Sequence, residues 1–179
     1  TISEGVSSID YYAFAYCSSL TSIFIPSTVK HIEDCAFEDC SSLRSIVVAE
    51  DNSKYDSRNN CNAIVDTETN ELIVGCATTI IPHGVTKIGG WAFSGCASLT
   101  SIIIPESVTA IGRFAFEFCS SLANINIPNG VTVINHGAFF GCTSLKSITI
   151  PKSTTWISQL FLGCDSLISI VIEDGNTKY

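Results

Sequence analysis

One ten-residue phrase occurs five times in the chain, and each copy begins with a cysteine. The copies read CSSLTSIFIP from Cys17, CSSLRSIVVA from Cys40, CASLTSIIIP from Cys96, CSSLANINIP from Cys119 and CTSLKSITIP from Cys142. Outside residues 49–81 the copies follow one another at 23 residues, and Cys164 comes 22 residues after the last. A sustained period of this length is typical of a solenoid, in which each repeat forms one coil.

The shared template, roughly IPxxVTxIxxxAFxxCSSLTSIx, predicts the structure of one coil. LTSIxI is β-branched and alternates, so it should be a strand that ends at the following proline, and VTxI should be a second short strand. The Ala-Phe segment has room for one or two helical turns, and its phenylalanine should fill the core between coils. We therefore predict an α/β, leucine-rich-repeat-like solenoid of about seven coils, mostly β with short helical turns. One buried column should contain Leu20, Leu43, Leu99, Leu122, Leu145 and Leu167.

Residues 49–81 interrupt the period and form an island without the Ala-Phe pair. Two apolar runs, 63–65 and 72–74, flank the polar residues 67–70, which predicts a hairpin insert. In that register Val65 lies opposite Leu72 and Ala63 opposite Val74. Cys61 then lies opposite Cys76, close enough for a possible disulfide.

The final residues IEDGNTKY resemble AEDNSKY at the start of the island. This likeness suggests that a second island begins there. We predict one solenoid over residues 1–179, taken from a longer array, with a non-repeat island at 49–81.

The repeated cysteines could be buried thiols, disulfide partners or metal ligands. Stacked coils would place neighbouring cysteines roughly 4.8 Å apart, but parallel side chains hold their Cβ atoms further apart than a disulfide prefers. No C-x-x-C occurs, and a line of thiols does not converge as zinc requires. A buried, reduced ladder is the favoured interpretation, because free cysteine behaves as a small hydrophobe.

Composition and motifs argue against several function classes. The net charge of −8 disfavours a nucleic-acid partner, and no apolar run reaches the 18 or so residues that would span a bilayer. His31, His83 and His136 fall in different coils without a nearby nucleophile motif, and His31 should be an ordinary surface side chain. The acidic residues around the island lack calcium-loop order, and no phosphate-binding loop occurs. We predict no enzyme, no metal site and no cofactor.

The outward positions of the main strand indicate where a partner would bind. The third position of LxxIxI is a stripe of small polar residues, such as Ser22 and Ser45. The fifth begins with four apolar residues that could form one contiguous patch. Alternatively, β-branched side chains occur there because they suit strands. The candidate protein-binding residues are Phe24, Val47, Ile80, Ile103, Asn126 and Thr149.

The extended motif IPxSVTxIGxxAFxxCSSLTSIxIP resembles the BspA-type leucine-rich repeats of bacterial surface proteins, over essentially the whole chain. The resemblance implies a right-handed β-solenoid horseshoe on a secreted or cell-surface protein. It also implies adhesion to proteins of a host or partner cell, such as the matrix proteins fibronectin and fibrinogen, although the family has no binding motif that could be assigned to residues here. Unlike ordinary leucine-rich repeats, this motif has its cysteine before the strand.

Two function classes follow from these observations. The first is a protein-recognition module on a cell surface. The second is a structural spacer that holds other domains away from the envelope and has no ligand of its own. A binding surface should show variable or apolar outward columns, whereas a spacer should show uniform polar ones.

Overall fold

The computed structural model describes residues 2–178, whose secondary structure is almost entirely short β-strands. Six two-residue strands come from the VTxI position: β1 (Ser8–Ile9), β3 (His31–Ile32), β8 (Lys87–Ile88), β9 (Ala110–Ile111), β10 (Val133–Ile134) and β12 (Trp156–Ile157). Four longer strands come from LxxIxI: β2 (Ser22–Ile25), β4 (Ser45–Val48), β11 (Ser147–Ile150) and β13 (Ser169–Ile172). The island contributes β5 (Tyr55–Asp56), β6 (Ile64–Asp66) and β7 (Glu71–Val74). The result is a β-solenoid of about seven turns.

Equivalent strands of successive coils pair in parallel and in the register of the repeat. Val133 pairs with Ala110 on one side and with Trp156 on the other. Strands β8, β9, β10 and β12 join the three strands of the island in one seven-stranded sheet, in the order β12-β10-β9-β8-β7-β6-β5. On the other side of the coils, β2 pairs with β4 and β11 with β13. Only the single bridges Ile103–Asn126 and Asn124–Ser147 continue this pairing through the middle coils.

The predicted helical turns, and with them the α/β class, are wrong. Within residues 2–178 there is no α-helix, and the single helical element is a 3-10 helix at Arg58–Asn60. Each Ala-Phe pair instead lies in a chain of tight turns. A residue with positive φ precedes the pair and a second follows four positions later, as at Phe114 (φ 53°) and Phe118 (φ 52°). Left-handed residues cannot continue a right-handed helix, so the segment turns a corner twice.

The phenylalanine of the Ala-Phe pair stacks on its copy in the next coil. The Phe116 ring lies 5.1 Å from Phe93 and 5.5 Å from Phe139, centroid to centroid, and the planes are within 6° of parallel. These three side chains are completely buried. Their backbones are also tied together, since the Phe116 amide donates to the carbonyl of Ala138 at 2.8 Å. The column therefore joins successive coils through both side chains and main chain.

The island interrupts this column at Gly75. The Gly75 amide donates to Ala92 O, as the Phe93 amide does to Ala115 O, so Gly75 occupies the place of the missing phenylalanine. A Cβ at Gly75 would overlap the ring of Phe93. Since the island lacks the turn that surrounds the Ala-Phe pair, the coil before it reaches the coil after it directly. The Asp39 amide donates to Ser94 O at 3.2 Å, and the Arg44 guanidinium donates to the Ser98 hydroxyl at 2.7 Å.

The buried apolar residues consequently form two clusters rather than the single uninterrupted core that the repeat suggests. The antiparallel strands β6 and β7 lie between the clusters and contribute to both. Ala63, Val65 and Leu72 belong to the cluster that continues to Cys164, whereas Ile64, Val74 and Cys76 belong to the cluster that begins at Ile9. Alternation along β6, together with the register shift that separates Leu72 from Val74 in β7, makes the island a wall with two apolar faces.

Asp66 holds the connection between β6 and β7. Its carboxylate accepts the amides of Glu68 and Thr69 and lies 2.9 Å from the ammonium of Lys54. Burial by itself raises the pKa of Asp66, but the Thr69 amide, Lys54 and the Glu68 amide together lower it below its usual value. The buried carboxylate thus remains ionised at neutral pH.

The leucine column is found where the repeat predicts it. Leu43, Leu99, Leu122 and Leu145 are buried, and Leu20 and Leu167 are partly buried. The last two lie in outer coils, which have a neighbour on one side only. Burial in this fold therefore depends on having a coil on both sides.

This dependence predicts the cost of removing phenylalanines from different coils. We expect Phe116→Ala to lower the free energy of unfolding by roughly 3–5 kcal/mol, since it removes a ring packed on both faces. Phe14 stacks on Phe37 alone and is only partly buried, so Phe14→Ala should cost less. Urea denaturation followed by circular dichroism measures both losses. Equal losses would contradict a stability shared between neighbouring coils.

Candidate functional site

The six candidate binding residues all have exposed side chains, and several are neighbours across the strands. Phe24 pairs with Val47, Ile103 with Asn126, and Thr149 with Val171. Among the apolar members, the most exposed side chains are those of Ile80 and Ile103, at 76% and 87% of their full accessible surface. The strand alternation therefore places the column outward. The six residues are Phe24, Val47, Ile80, Ile103, Asn126 and Thr149.

The four apolar members do not form the single patch that the sequence suggests. Residues 57–61 of the island separate Val47 from Ile80. At one end the Ser57 hydroxyl accepts the amide of Val48 at 3.0 Å, and at the other Cys61 O accepts the amide of Ile80 at 3.0 Å. The column is divided into a pair, Phe24 and Val47, beside the 3-10 helix and a second pair beyond it.

Ile80 and Ile103, the second pair, lie along a groove of about 400 Å³. Its other walls include His83, Ser101 and Pro105. In the described part of the chain, no backbone hydrogen bond joins residues 77–82 to residues 100–105. The amide of Ile80 is used on its other side, by Cys61. The groove is thus a place where the parallel ladder is open and two large apolar side chains face solvent.

The structure also contains a partly exposed aromatic edge that the sequence reasoning missed. The Trp91 and Phe114 rings are 5.6 Å apart, and the Arg113 guanidinium lies 4.4 Å from the Trp91 centroid. Phe118 and Phe140 meet edge to face at 5.2 Å. Stacking of arginine on tryptophan is a favourable cation–π contact.

Two glycines in the next coil create the space for this edge. Gly137 and Gly141 have φ of 64° and 70°, and a Cβ at either would overlap the ring of Phe114 or Phe118 respectively. The sequence signal was available. The two left-handed positions carry aromatic residues in one coil, Phe114 and Phe118, and glycine in the next. This signal does not indicate left-handed turns as long as the Ala-Phe segment is expected to be helical.

The buried thiols form a hydrogen-bonded ladder. Among the repeated cysteines, only Cys17 is exposed, and all are free. The Cys119 thiol donates to Phe93 O at 3.2 Å, and the Cys142 thiol donates to Phe116 O at 3.1 Å. Cysteine at this position is therefore small enough for the core and also pairs a buried carbonyl, which alanine could not do. The same contact is made by Cys40 to Phe14 and by Cys164 to Phe139, and Cys96 reaches Gly75 O.

Burial also makes these thiols poor nucleophiles. It raises the pKa of Cys142 to about 12 and that of Cys40 to about 11. Burial also raises the pKa of Cys119 well above its usual value. A protonated, enclosed thiol neither attacks a substrate nor binds a metal readily.

The predicted register of the island is correct at one pair and wrong beyond it. Val65 does pair with Leu72, but a bulge between Ile64 and Val65 makes Ile64, not Ala63, the partner of Val74. If the pairing of Ile64 with Val74 is extended by two residues, Cys76 lies beside Asn62. The Cys76 thiol indeed lies 3.5 Å from Asn62 O.

Cys61 does not lie opposite Cys76 in this register, and both are free thiols. They belong to different apolar clusters. The extra residue in the bulge is what turns their side chains toward opposite faces of the hairpin. The possible Cys61–Cys76 disulfide is absent from this structure.

Ionisable side chains do not converge elsewhere. Across residues 2–178, no three histidine, cysteine or acidic side chains are grouped so as to hold a metal ion. His31, His83 and His136 are all exposed. No helix in the described residues is long and apolar enough to cross a membrane.

The repeat, its cysteine ladder and its stacked coils agree with a known family. The model of the BspA type leucine-rich repeat region matches six copies, over residues 1–71 and 74–179. The chain belongs to this family. The match covers almost all of the island as well as the regular coils. No curated protein matches the chain.

Several solved structures of leucine-rich repeat proteins are similar. A leucine-rich cell surface protein from Faecalibacterium prausnitzii shares 30% identity with a TM-score of 0.66, over 96% of this chain and 59% of that one. A leucine-rich repeat protein from Bacteroides ovatus shares 37% identity with a TM-score of 0.57, over 92% of this chain and 34% of that one. The pneumococcal vaccine antigen PcpA, at 23% identity, has a TM-score of 0.75 over 93% and 48% of the two chains, and supports the fold alone. This BspA-type chain thus spans 34–59% of the length of these neighbours.

The cysteine ladder makes a prediction about thiol chemistry. We expect the exposed Cys17 to react rapidly with Ellman's reagent at pH 8 in the native protein and the eight buried thiols to react slowly, since the pKa values of the buried ladder are raised by burial. In denaturant all nine cysteines should titrate. Seven titratable thiols in denaturant, two fewer than nine, would instead indicate a disulfide.

Proposed function

We propose that this chain is a protein-recognition module of a secreted or cell-surface protein and binds partner proteins through the groove between Ile80 and Ile103. The observation that carries the proposal is the exposure of these two isoleucines on either side of an open ladder. Fully burying an isoleucine is worth about 1.5–3 kcal/mol, so two of them could anchor an interface. Because the backbones on the two sides of the groove do not pair with each other, an extended segment of a partner could also bind between them.

The cell-surface part of the proposal rests on relatives. A neighbour of 30% identity is a cell surface protein by name, and leucine-rich repeat proteins in general mediate protein interactions. The partner we propose is an extracellular protein of a host or of a neighbouring cell, with matrix proteins such as fibronectin and fibrinogen as the first to test. We propose no catalytic activity and no cofactor.

A structural spacer is the second candidate. It is favoured by the uniform stripe of small polar residues beside the apolar column: Ser22, Ser45, Ser101, Asn124, Ser147 and Ser169. A surface of this kind offers little to a specific partner. The isoleucine groove is what distinguishes the two candidates, because a spacer gains nothing from exposed isoleucines.

The test is binding of the chain to immobilised fibronectin and fibrinogen by surface plasmon resonance. We expect the double variant Ile80→Ser, Ile103→Ser to raise the dissociation constant at least tenfold. The melting temperature should stay unchanged, because both side chains are exposed. Tenfold corresponds to about 1.4 kcal/mol, which is within what loss of two buried isoleucines would remove.

The matched control is Ile168→Ser, which removes an isoleucine as exposed as Ile103 but outside the groove. It should leave the affinity unchanged. Undiminished affinity in the double variant would exclude the groove as the binding site. If the unmodified chain binds neither protein, nor other extracellular proteins tested in the same way, the spacer becomes the better description.

A further inference from the structure

The last strand of the solenoid and the residues after it repeat, almost position by position, the strand that precedes the island. Residues 45–54 read SIVVAEDNSK, and residues 169–178 read SIVIEDGNTK. Both strands pair in parallel with the strand one coil earlier, Ser45 with Ser22 and Ser169 with Ser147. The two segments therefore have the same sequence pattern and the same place in a coil.

They also share an asparagine, buried at Asn52 and partly buried at Asn176, where the other coils have valine or threonine. Asn52 donates from Nδ2 to Pro26 O at 2.8 Å and to Val29 O at 3.0 Å, and its Oδ1 accepts the Lys54 amide at 2.9 Å. This asparagine ties the residues after β4 back to the turn of the preceding coil. It is the first fixed point of the path into the island.

Asn176 makes the equivalent set of bonds. Its Nδ2 donates to Pro151 O at 3.2 Å and to Thr154 O at 3.0 Å, and its Oδ1 accepts the Lys178 amide at 2.8 Å. Pro151 and Thr154 stand in their coil where Pro26 and Val29 stand in theirs. The backbone after β13 is thus held in the same path as the backbone that enters the island.

The two strands differ in what covers them. Ile46 and Val48 of β4 are 1% and 5% exposed, whereas the corresponding Ile170 and Ile172 of β13 are 50% and 38% exposed. Ile46 and Val48 lie in one cluster with Ile64, Val74 and Cys76 of the island. The β6–β7 hairpin is therefore the element that buries β4. At β13, inward-facing isoleucines of the same kind have no such cover in the described residues.

We propose that the face of β13 that carries Ile170 and Ile172 is a docking site for a β-hairpin of the island type. Its occupant is an antiparallel hairpin that presents apolar side chains where this island presents Ile64 and Val74, and that enters from the path fixed by Asn176. This surface is separate from the groove between Ile80 and Ile103, and the proposal does not depend on that groove.

The test adds such a hairpin in the register that the repeat defines. Tyr179 corresponds to Tyr55 in sequence, so residues 56–81 are appended directly after Tyr179 of the full chain. Amide hydrogen exchange of β13 is then measured by mass spectrometry in the original and extended chains. We expect exchange in β13 to slow at least tenfold in the extended chain and the melting temperature to rise.

Two controls separate docking from mere lengthening. In the first, the appended hairpin carries Ser at the positions equivalent to Ile64 and Val74. In the second, the extended chain carries Ile170→Ser, which alters the proposed site itself. Both should return the exchange of β13 to its value in the original chain. Unchanged exchange on adding the intact hairpin, or equal protection by the Ser-containing hairpin, would overturn the proposal.

Discussion

No coil of this protein can bury its own phenylalanine, and most features of the structure depend on that constraint. In the regular coils a ring packs between the rings of the coils before and after it, at 5.1 and 5.5 Å for Phe116. The ring stack requires the turns around it to repeat in register, which the two left-handed positions of each coil achieve. The cysteine that follows completes the unit, because its thiol donates to the carbonyl of a phenylalanine one coil earlier.

The island shows what happens when the column is broken. Gly75 has no ring to contribute, so the turns on either side of the island meet directly through Asp39 and Ser94. The apolar space left inside is divided by the hairpin, whose strands give one face to each cluster. A single missing side chain thus changes both the core and the edge of the solenoid.

The same interruption shapes the surface that we propose for binding. On the side of the coils that carries β2 and β4, residues 57–61 of the island accept the hydrogen bond of the Ile80 amide. The backbone of the next coil, at Ile103, therefore does not pair with that of Ile80. The opening between Ile80 and Ile103 results from this mismatch between an irregular coil and a regular one. Regular coils pair their outward columns more closely, as Phe24 and Val47 do in β2 and β4. A recognition surface on a repetitive scaffold is most distinctive where the repetition fails.

The sequence by itself determined the strands and the side-chain columns that recur from coil to coil. The period predicted the two strands, their parallel pairing, the buried leucines and the outward column that includes Ile103, because each depends on alternation within a few residues and on stacking of identical neighbours. Tertiary structure decided what depends on contacts between unlike segments. It replaced helical turns with left-handed corners, and it formed an aromatic edge at Phe114 from rings in one coil and glycines in the next. It also shifted the hairpin by the bulge at Ile64 and thereby separated Cys61 from Cys76. No local pattern encodes a bulge, or shows what fills the space of a missing ring, because both depend on contacts with distant side chains.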